Sequence, residues 1–159
     1  MKILLGREEV NSDKPDNRGR TPLSYAAWRG YGGIVKILLE REEVNPDAPD
    51  NDGRTPLSYA AGNGDTYIAP GRLEEVVKLL LWRDEINPDT PDNDGRTPLS
   101  YAAEYGREGV VEKLLERGEV NPDKPDNAGQ TPLVIAARRG QQAVIALLRS
   151  HKDVTRSTT

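Results

Sequence analysis

The chain has 159 residues, no cysteine, one histidine and a formal net charge of −4. The missing positive excess argues against nucleic-acid binding, and the missing thiols exclude disulfides and thiolate metal sites. No stretch approaches the roughly 18 apolar residues of a membrane helix, and the apolar run at the start is too short for a secretory signal. The composition therefore predicts a soluble, intracellular and cytoplasmic protein that binds neither nucleic acid nor membrane.

A repeated nine-residue segment organises the chain. Gly-Arg-Thr-Pro-Leu-Ser-Tyr-Ala-Ala stands at residues 19–27, 53–61 and 95–103, and Gly-Gln-Thr-Pro-Leu-Val-Ile-Ala-Ala follows at 129–137. Judged by the threonine of each copy, the repeats are 34, 42 and again 34 residues apart. Self-similarity at such a period is typical of solenoid proteins.

Each copy predicts two short helices. In the first copy Thr21 is a good N-cap, Pro22 suits the first helical position, and Gly30 can end the helix in a left-handed conformation. The face predicted to be buried consists of Leu23, Ala26 and Ala27. The second helix has an apolar stripe whose members are Ile34, Val35, Leu38, Leu39, then Val76, Val77, Leu80, Leu81, then Val110, Val111, Leu114, Leu115, and finally Val144, Ile145, Leu148.

The segments between copies predict a reversing turn, which we call a finger. In the segment 44–53, two prolines forbid a helix, and Asn-Asp-Gly supplies residues that tolerate a positive φ. The eight extra residues of the second copy fall at 65–72. We expect them to form a protruding loop, with Tyr67 and Ile68 exposed, that folds back onto Trp82. Such a loop either adds a binding surface or is neutral.

The pattern Asp-x-x-Gly-x-Thr-Pro-Leu-x-x-Ala-Ala-x-x-Gly, present four times, resembles the ankyrin repeat, and the Asn-Pro-Asp-x-Pro-Asp extension resembles the ankyrin arrays of filamentous fungi. A tetratricopeptide array is excluded because its Trp, Gly and Tyr signature is absent. The resemblance implies an all-α ankyrin repeat solenoid of helix-turn-helix units with projecting finger turns. It implies a single domain over 1–154, consisting of a half repeat at 1–10 and full repeats at 11–44, 45–86, 87–120 and 121–154. A polar tail follows at 155–159, and we expect the polar residues from Ser150 onward to be frayed.

Two features depart from the family's pattern. The usual His after Thr-Pro-Leu is replaced by Ser24, Ser58, Ser100 and Val134, which implies that its hydrogen bond to Thr is lost and that each unit is looser. The linker is also longer than in the common form, which would place Asp50 and Asn51 farther out.

The resemblance also implies a concave face, formed by the fingers and first helices, that binds a partner protein. The implied contact positions are the two residues before the finger glycine, the one after it, and the two after Ala-Ala. The candidate partner-binding residues are Asn17, Arg18, Arg20, Trp28, Arg29, Asn51, Asp52, Arg54, Asn63, Asn93, Asp94, Arg96, Glu104, Tyr105, Arg138 and Arg139. Trp28 and Tyr105 are the expected anchors, because aromatic and Arg side chains dominate interface energetics.

Several candidates have a purely structural alternative. Trp28 can instead pack over its neighbour's finger. The recurring arginines either pair with carboxylates of an acidic partner or are neutralised locally by Asp52 and Asp94. The row formed by Tyr25, Tyr59 and Tyr101 serves either packing between repeats or ligand contact.

No motif indicates catalysis or a bound cofactor. A calcium loop through Asp50 and Asp52 fails because Ala48 and Tyr59 stand where acidic ligands are needed. The Gly-rich nucleotide fingerprints are absent, and the carboxylates have no partner base. We therefore predict a noncatalytic protein-binding module without cofactor or metal. The alternative is a stacking segment of a longer array that self-associates end to end through an incompletely capped start at Ile3, Leu4 and Leu5.

Overall fold

The computed structural model describes residues 12–62 and 68–157. The predicted half repeat at 1–10, the candidate residue Asn63 and the loop residue Tyr67 lie outside these ranges.

The described residues form eight helices and no strand. The helices are α1 (Pro22–Trp28), α2 (Gly32–Leu39), α3 (Pro56–Gly62), α4 (Pro70–Leu81), α5 (Pro98–Tyr105), α6 (Glu108–Leu115), α7 (Pro132–Arg139) and α8 (Gln142–Ser157). Successive helices pack as pairs, which we number units one to four. The first helices of the units pack in one row and the second helices in another, so the predicted all-α solenoid of helix-turn-helix units is confirmed.

The first helices begin as the sequence predicts. The Thr21 hydroxyl accepts a hydrogen bond from the Ser24 backbone N–H at 3.2 Å, and the same cap recurs at Thr55, Thr97 and Thr131. Gly30, which follows α1, has the expected left-handed backbone with φ +66°. The Thr21 and Ser24 hydroxyl oxygens also lie 3.2 Å apart in the core. In units one to three, a buried contact between the Thr and Ser hydroxyl groups thus takes the place of the hydrogen bond that the family's histidine would make to Thr.

The core lies between the two rows of helices. Leu23, Leu57 and Leu99 of the first helices are fully buried, as are the Ala-Ala pairs of units two and three. The predicted stripe of the second helices is buried as well, except for Ile34 and Leu115, which are half-buried. Because alanines keep the first helices thin, neighbouring units pack closely enough to share one continuous core.

The fingers turn back on an inward-facing aspartate. The Asp50 side chain accepts hydrogen bonds from the backbone N–H groups of Asp52 and Arg54 at 2.9 and 2.8 Å. Asp50 is only 7% exposed, so the expectation that the longer linker places it farther out is wrong. Its carboxylate is needed inside the turn to bind backbone donors that would otherwise be unpaired.

Arginines tie the second helices together. Arg83 donates to the carbonyl oxygen of Leu39 at the end of α2, and Arg117 donates to that of Leu81 at the end of α4. Each positive charge therefore meets the negative end of the preceding unit's helix, where unpaired carbonyls favour a cation.

The extra residues of unit two lengthen a helix. Helix α4 has 12 residues, against eight in α2 and α6. Ile68 is half-buried, and its Cγ2 lies 3.1 Å from where a Cβ on Gly30 would stand, so it packs on unit one. Trp82 is 83% exposed. The expectations of an exposed Ile68 and of a loop folded onto Trp82 are therefore wrong, because Gly30 leaves room for Ile68 against the core.

The last helix also runs beyond its expected end. Helix α8 reaches Ser157, whereas the sequence predicted fraying from Ser150 onward. Lys152 forms a salt bridge with Asp123, which ties this helix to the preceding linker. In residues 12–62 and 68–157, no helix combines the length and apolar character needed to cross a bilayer.

Candidate functional site

Finger turns and first helices together form one face of the array, which we call the finger face. The reversing turns of the fingers are residues 16–20, 50–54, 92–96 and 126–130, and the first helices are α1, α3, α5 and α7. Two grooves lie on this face. Groove one, between units one and two, is lined by Arg18, Arg20, Ser24, Tyr25, Trp28, Asp50, Asp52, Arg54 and Tyr59. Groove two, between units three and four, is lined by Arg96, Glu104, Asp126, Gln130, Ile135, Arg138 and Arg139.

A row of tyrosines on the first helices is hydrogen-bonded to the fingers. The hydroxyl groups of Tyr25, Tyr59 and Tyr101 donate to the carboxylates of Asp16, Asp50 and Asp92, respectively. Burial, followed by these hydrogen bonds, raises the pKa of both Tyr59 and Tyr101 above its ordinary value. This tyrosine row therefore fixes each finger to the first helix of its own unit.

Aromatic rings and guanidinium groups stack along groove one. The Tyr25 and Trp28 rings meet edge to face with centroids 6.4 Å apart. The guanidinium carbon of Arg20 lies 4.6 Å from the Tyr25 centroid, and that of Arg29 lies 4.3 Å from the Trp28 centroid. Such cation–π contacts favour the observed orientation of the half-buried Trp28 ring.

Arg20 and Arg54 differ in how they are paired. Arg20 binds Asp16 through two nitrogens, at 2.7 and 3.0 Å, and this keeps the pKa of Asp16 well below its ordinary value. Arg54 makes no salt bridge within the described part of the chain, and its buried Nε has no hydrogen-bond partner. Its guanidinium carbon lies 5.6 Å from the Tyr101 ring centroid.

Groove two contains its own acid. Glu104 forms salt bridges with Arg96 and Arg139, while Arg138 donates to the Gln130 side chain. Burial alone would raise the pKa of Glu104, but the hydrogen bonds from the two arginines outweigh it and lower that pKa. Two of the three arginines of this groove thus share one carboxylate, and the third is hydrogen-bonded to a neutral amide.

The comparisons with known proteins agree with this architecture. A family model described as "Ankyrin repeats (3 copies)" matches residues 1–71 and 67–158, which is nearly the whole chain. The chain belongs to the ankyrin repeat family. Among curated proteins, the search finds no match. Ankyrin repeats generally mediate protein–protein interactions and are typically noncatalytic. Within the described ranges of this ankyrin chain, no group of three or more metal-ligating side chains is placed to hold a metal ion.

The finger asparagines of the ankyrin array bind other fingers. The side-chain amide of Asn51 donates to the carbonyl oxygen of Asn17 at 3.2 Å, and that of Asn93 donates to Asn51 at 3.0 Å. As candidate contacts, Asn51 and Asn93 therefore have their amide donors already engaged. Asn17 is exposed at the edge of the described fingers.

The arginines of the ankyrin fingers are not neutralised as the sequence suggested. Arg20 pairs with Asp16, and Arg96 pairs with Glu104, so the prediction that Asp52 and Asp94 supply the partners is wrong. In the first finger the turn points the first carboxylate, that of Asp16, toward the arginine side chain, whereas in the third finger Arg96 reaches Glu104 instead. Asp52 and Asp94 are exposed.

The predicted anchors lie in different places. Trp28 lies in groove one, whereas Tyr105 is 46% exposed at the end of α5 and lines neither groove. Groove residues that the family's contact positions omit are Ser24, Tyr25, Asp50, Tyr59, Asp126 and Ile135. Recurrence in the repeat was the signal that could have placed most of them beside the fingers.

Proposed function

We propose that this ankyrin array is a noncatalytic module that binds a partner protein on its finger face, with groove one as the centre of the contact. The observation that carries the proposal is the Trp28 ring, held in an open groove by Tyr25 and Arg29. Trp, Tyr and Arg are the residues that most often dominate binding energy at interfaces.

Pre-organisation further supports groove one as the centre of the contact with the partner. A side chain that is already ordered loses less conformational entropy when a ligand binds. The fingers on both sides are fixed by Tyr25 and Tyr59, so the walls of the groove are also ordered. Groove two offers arginines as well, but Glu104 already occupies two of them.

Three narrower predictions accompany the proposal. End-to-end self-association through Ile3, Leu4 and Leu5 concerns residues outside the described ranges. The intracellular and cytoplasmic location and the likeness to fungal arrays also stay predictions from the sequence.

A random peptide library offers a direct test with a defined probe. Peptides of about 12 residues, displayed on phage, are selected on the immobilised protein and then synthesised. Their affinity is measured for the native protein, for Trp28→Ala and for Trp82→Ala, with circular dichroism to confirm equal helix content. The chain has two tryptophans, and Trp82 follows α4 in the row of second helices and is 83% exposed, which makes it a matched control.

We expect Trp28→Ala to weaken binding by about tenfold or more, which corresponds to about 1.4 kcal/mol. Trp82→Ala should change the affinity by less than about twofold, because an exposed side chain far from the contact adds little. Peptides whose affinity depends on Trp82 and not on Trp28 would place binding on the row of second helices and overturn the proposal.

A further inference from the structure

The two grooves occupy equivalent positions in the repeat, and one of the positions at which they differ is the residue that follows Ala-Ala. Arg20 of groove one corresponds to Arg96 of groove two, since each follows the glycine of its finger. Trp28 corresponds to Glu104, since each follows the Ala-Ala pair. In groove two this position supplies a carboxylate that binds two arginines. In groove one the same position supplies an aromatic ring.

Two arginines of groove one therefore lack a salt bridge. Neither Arg18 nor Arg54 makes a side-chain salt bridge in the described ranges, and the Nε of Arg54 is buried without a hydrogen-bond partner. Both arginines line the groove, where a charge-assisted hydrogen bond from a guanidinium group to a bound acceptor is favourable.

The acids that line or border groove one cannot all serve these arginines. Asp16 is held by Arg20, and Asp50 is held by two backbone N–H groups and the Tyr59 hydroxyl. Only Asp52 is left, and it is exposed and forms no salt bridge with Arg54. Arg18 and Arg54 are therefore paired with none of these acids, so their guanidinium groups can still bind a carboxylate.

We propose that groove one binds an acidic peptide segment of the partner, in which a Glu or Asp side chain lies beside an apolar residue. The carboxylate accepts hydrogen bonds from Arg54 and Arg18, and the apolar neighbour packs on Trp28. The bound acid supplies to groove one the charge that Glu104 supplies to groove two. The inference rests on the proposed function and narrows it to one class of ligand.

The experiment uses the peptides selected from the random library. Each peptide is remade with every Glu changed to Gln and every Asp to Asn, and both forms are measured against the native protein. The selected peptides in their original, acidic form are also measured against the protein variants Arg54→Gln, Arg96→Gln and Asp52→Asn. Arg96→Gln is the matched control, because Arg96 has the same repeat position but an internal partner in Glu104.

We expect the selected peptides to contain an acidic residue next to an apolar one. Both Arg54→Gln and neutralisation of the peptide should weaken binding by about tenfold, as for the loss of a desolvated charge pair. Arg96→Gln should stay within about twofold of the native protein. Asp52→Asn should tighten binding by a few-fold, because it removes the competing charge.

The outcomes separate the two proposals. Peptides that lose affinity with Trp28→Ala but not with Arg54→Gln overturn the acidic-segment inference and leave finger-face binding in place. Peptides that are insensitive to Trp28→Ala overturn both, and so does a selection that enriches no peptide.

Discussion

The side-chain amide of Asn93 donates to the backbone carbonyl oxygen of Asn51 at 3.0 Å, one finger away. The backbone N–H of Asn93 donates to the carbonyl oxygen of Asp52 at 2.9 Å. The same two bonds recur between the first and second fingers and between the third and fourth. Each finger is thereby fixed to the next at a constant spacing, which sets the width of the grooves.

The asparagine ladder can be weakened at one rung. We expect Asn93→Ala to lower the free energy of unfolding by about 1 kcal/mol, because an inter-finger hydrogen bond is lost. Asn17→Ala is the control, since the Asn17 amide has no bond in the described ranges, and its cost should stay below about 0.5 kcal/mol. Urea denaturation followed by circular dichroism measures both. Equal costs for the two variants would show that the ladder contributes nothing.

Gly62 marks a close approach between the first helices α3 and α5. A Cβ on Gly62 would stand 2.5 Å from the Cβ of Tyr101. We expect Gly62→Ala to destabilise the protein by about 1 to 3 kcal/mol, as for an overpacked core. Gly33→Ala is the control in α2, where nothing lies within 4 Å of the added methyl group. Helix propensity predicts a gain in stability of up to about 1 kcal/mol for this variant. Thermal unfolding of both variants tests this, and a neutral Gly62→Ala would contradict the close packing.

Asp47 is a half-buried acid that forms no salt bridge within the described ranges. Its Oδ2 accepts from the Asn87 N–H and the Thr90 hydroxyl, each at 3.4 Å, while its buried Oδ1 has no partner. Burial raises the pKa of Asp47 above its ordinary value. The folded chain therefore binds this proton more tightly than the unfolded chain, so ionisation of Asp47 costs stability as the pH rises above the unfolded value.

We expect Asp47→Asn to raise the free energy of unfolding at pH 7 by about 1 kcal/mol, because a desolvated charge is removed. The gain should shrink as the pH falls toward 4, where Asp47 itself becomes protonated. Asp89→Asn is the comparison: burial raises the pKa of Asp89 as well, but Lys124 lies 3.3 Å away and offsets part of that effect, so its gain in stability should be smaller. Urea unfolding at several pH values measures both, and a pH-independent effect of Asp47→Asn would argue against the titration.

The helices and their buried faces could be predicted because the same capping and apolar residues recur in all four repeats. The cap at Thr21, the left-handed Gly30 and the Leu23 stripe are local features that the sequence encodes directly. The repeat boundaries themselves stay a prediction.

The pairing of the arginines could not be predicted in this way. Whether Arg54 meets a carboxylate depends on which atoms of the finger turn inward and on the residue that follows Ala-Ala, here Gly62. Ile68 was misplaced for a similar reason, because its burial depends on the space beside Gly30 in another unit. Contacts between units are set by packing distances that the pattern of one unit does not contain.

The central claim is that the partner binds the finger face at Trp28. The most direct measurement is a proton–nitrogen correlation spectrum of the labelled protein, titrated with a selected peptide and read at the two tryptophan indole N–H signals. The signals are assigned with Trp82→Phe. We expect the Trp28 signal to shift in proportion to the bound fraction while the Trp82 signal stays unchanged. A shift of the Trp82 signal with an unmoved Trp28 signal would contradict the claim.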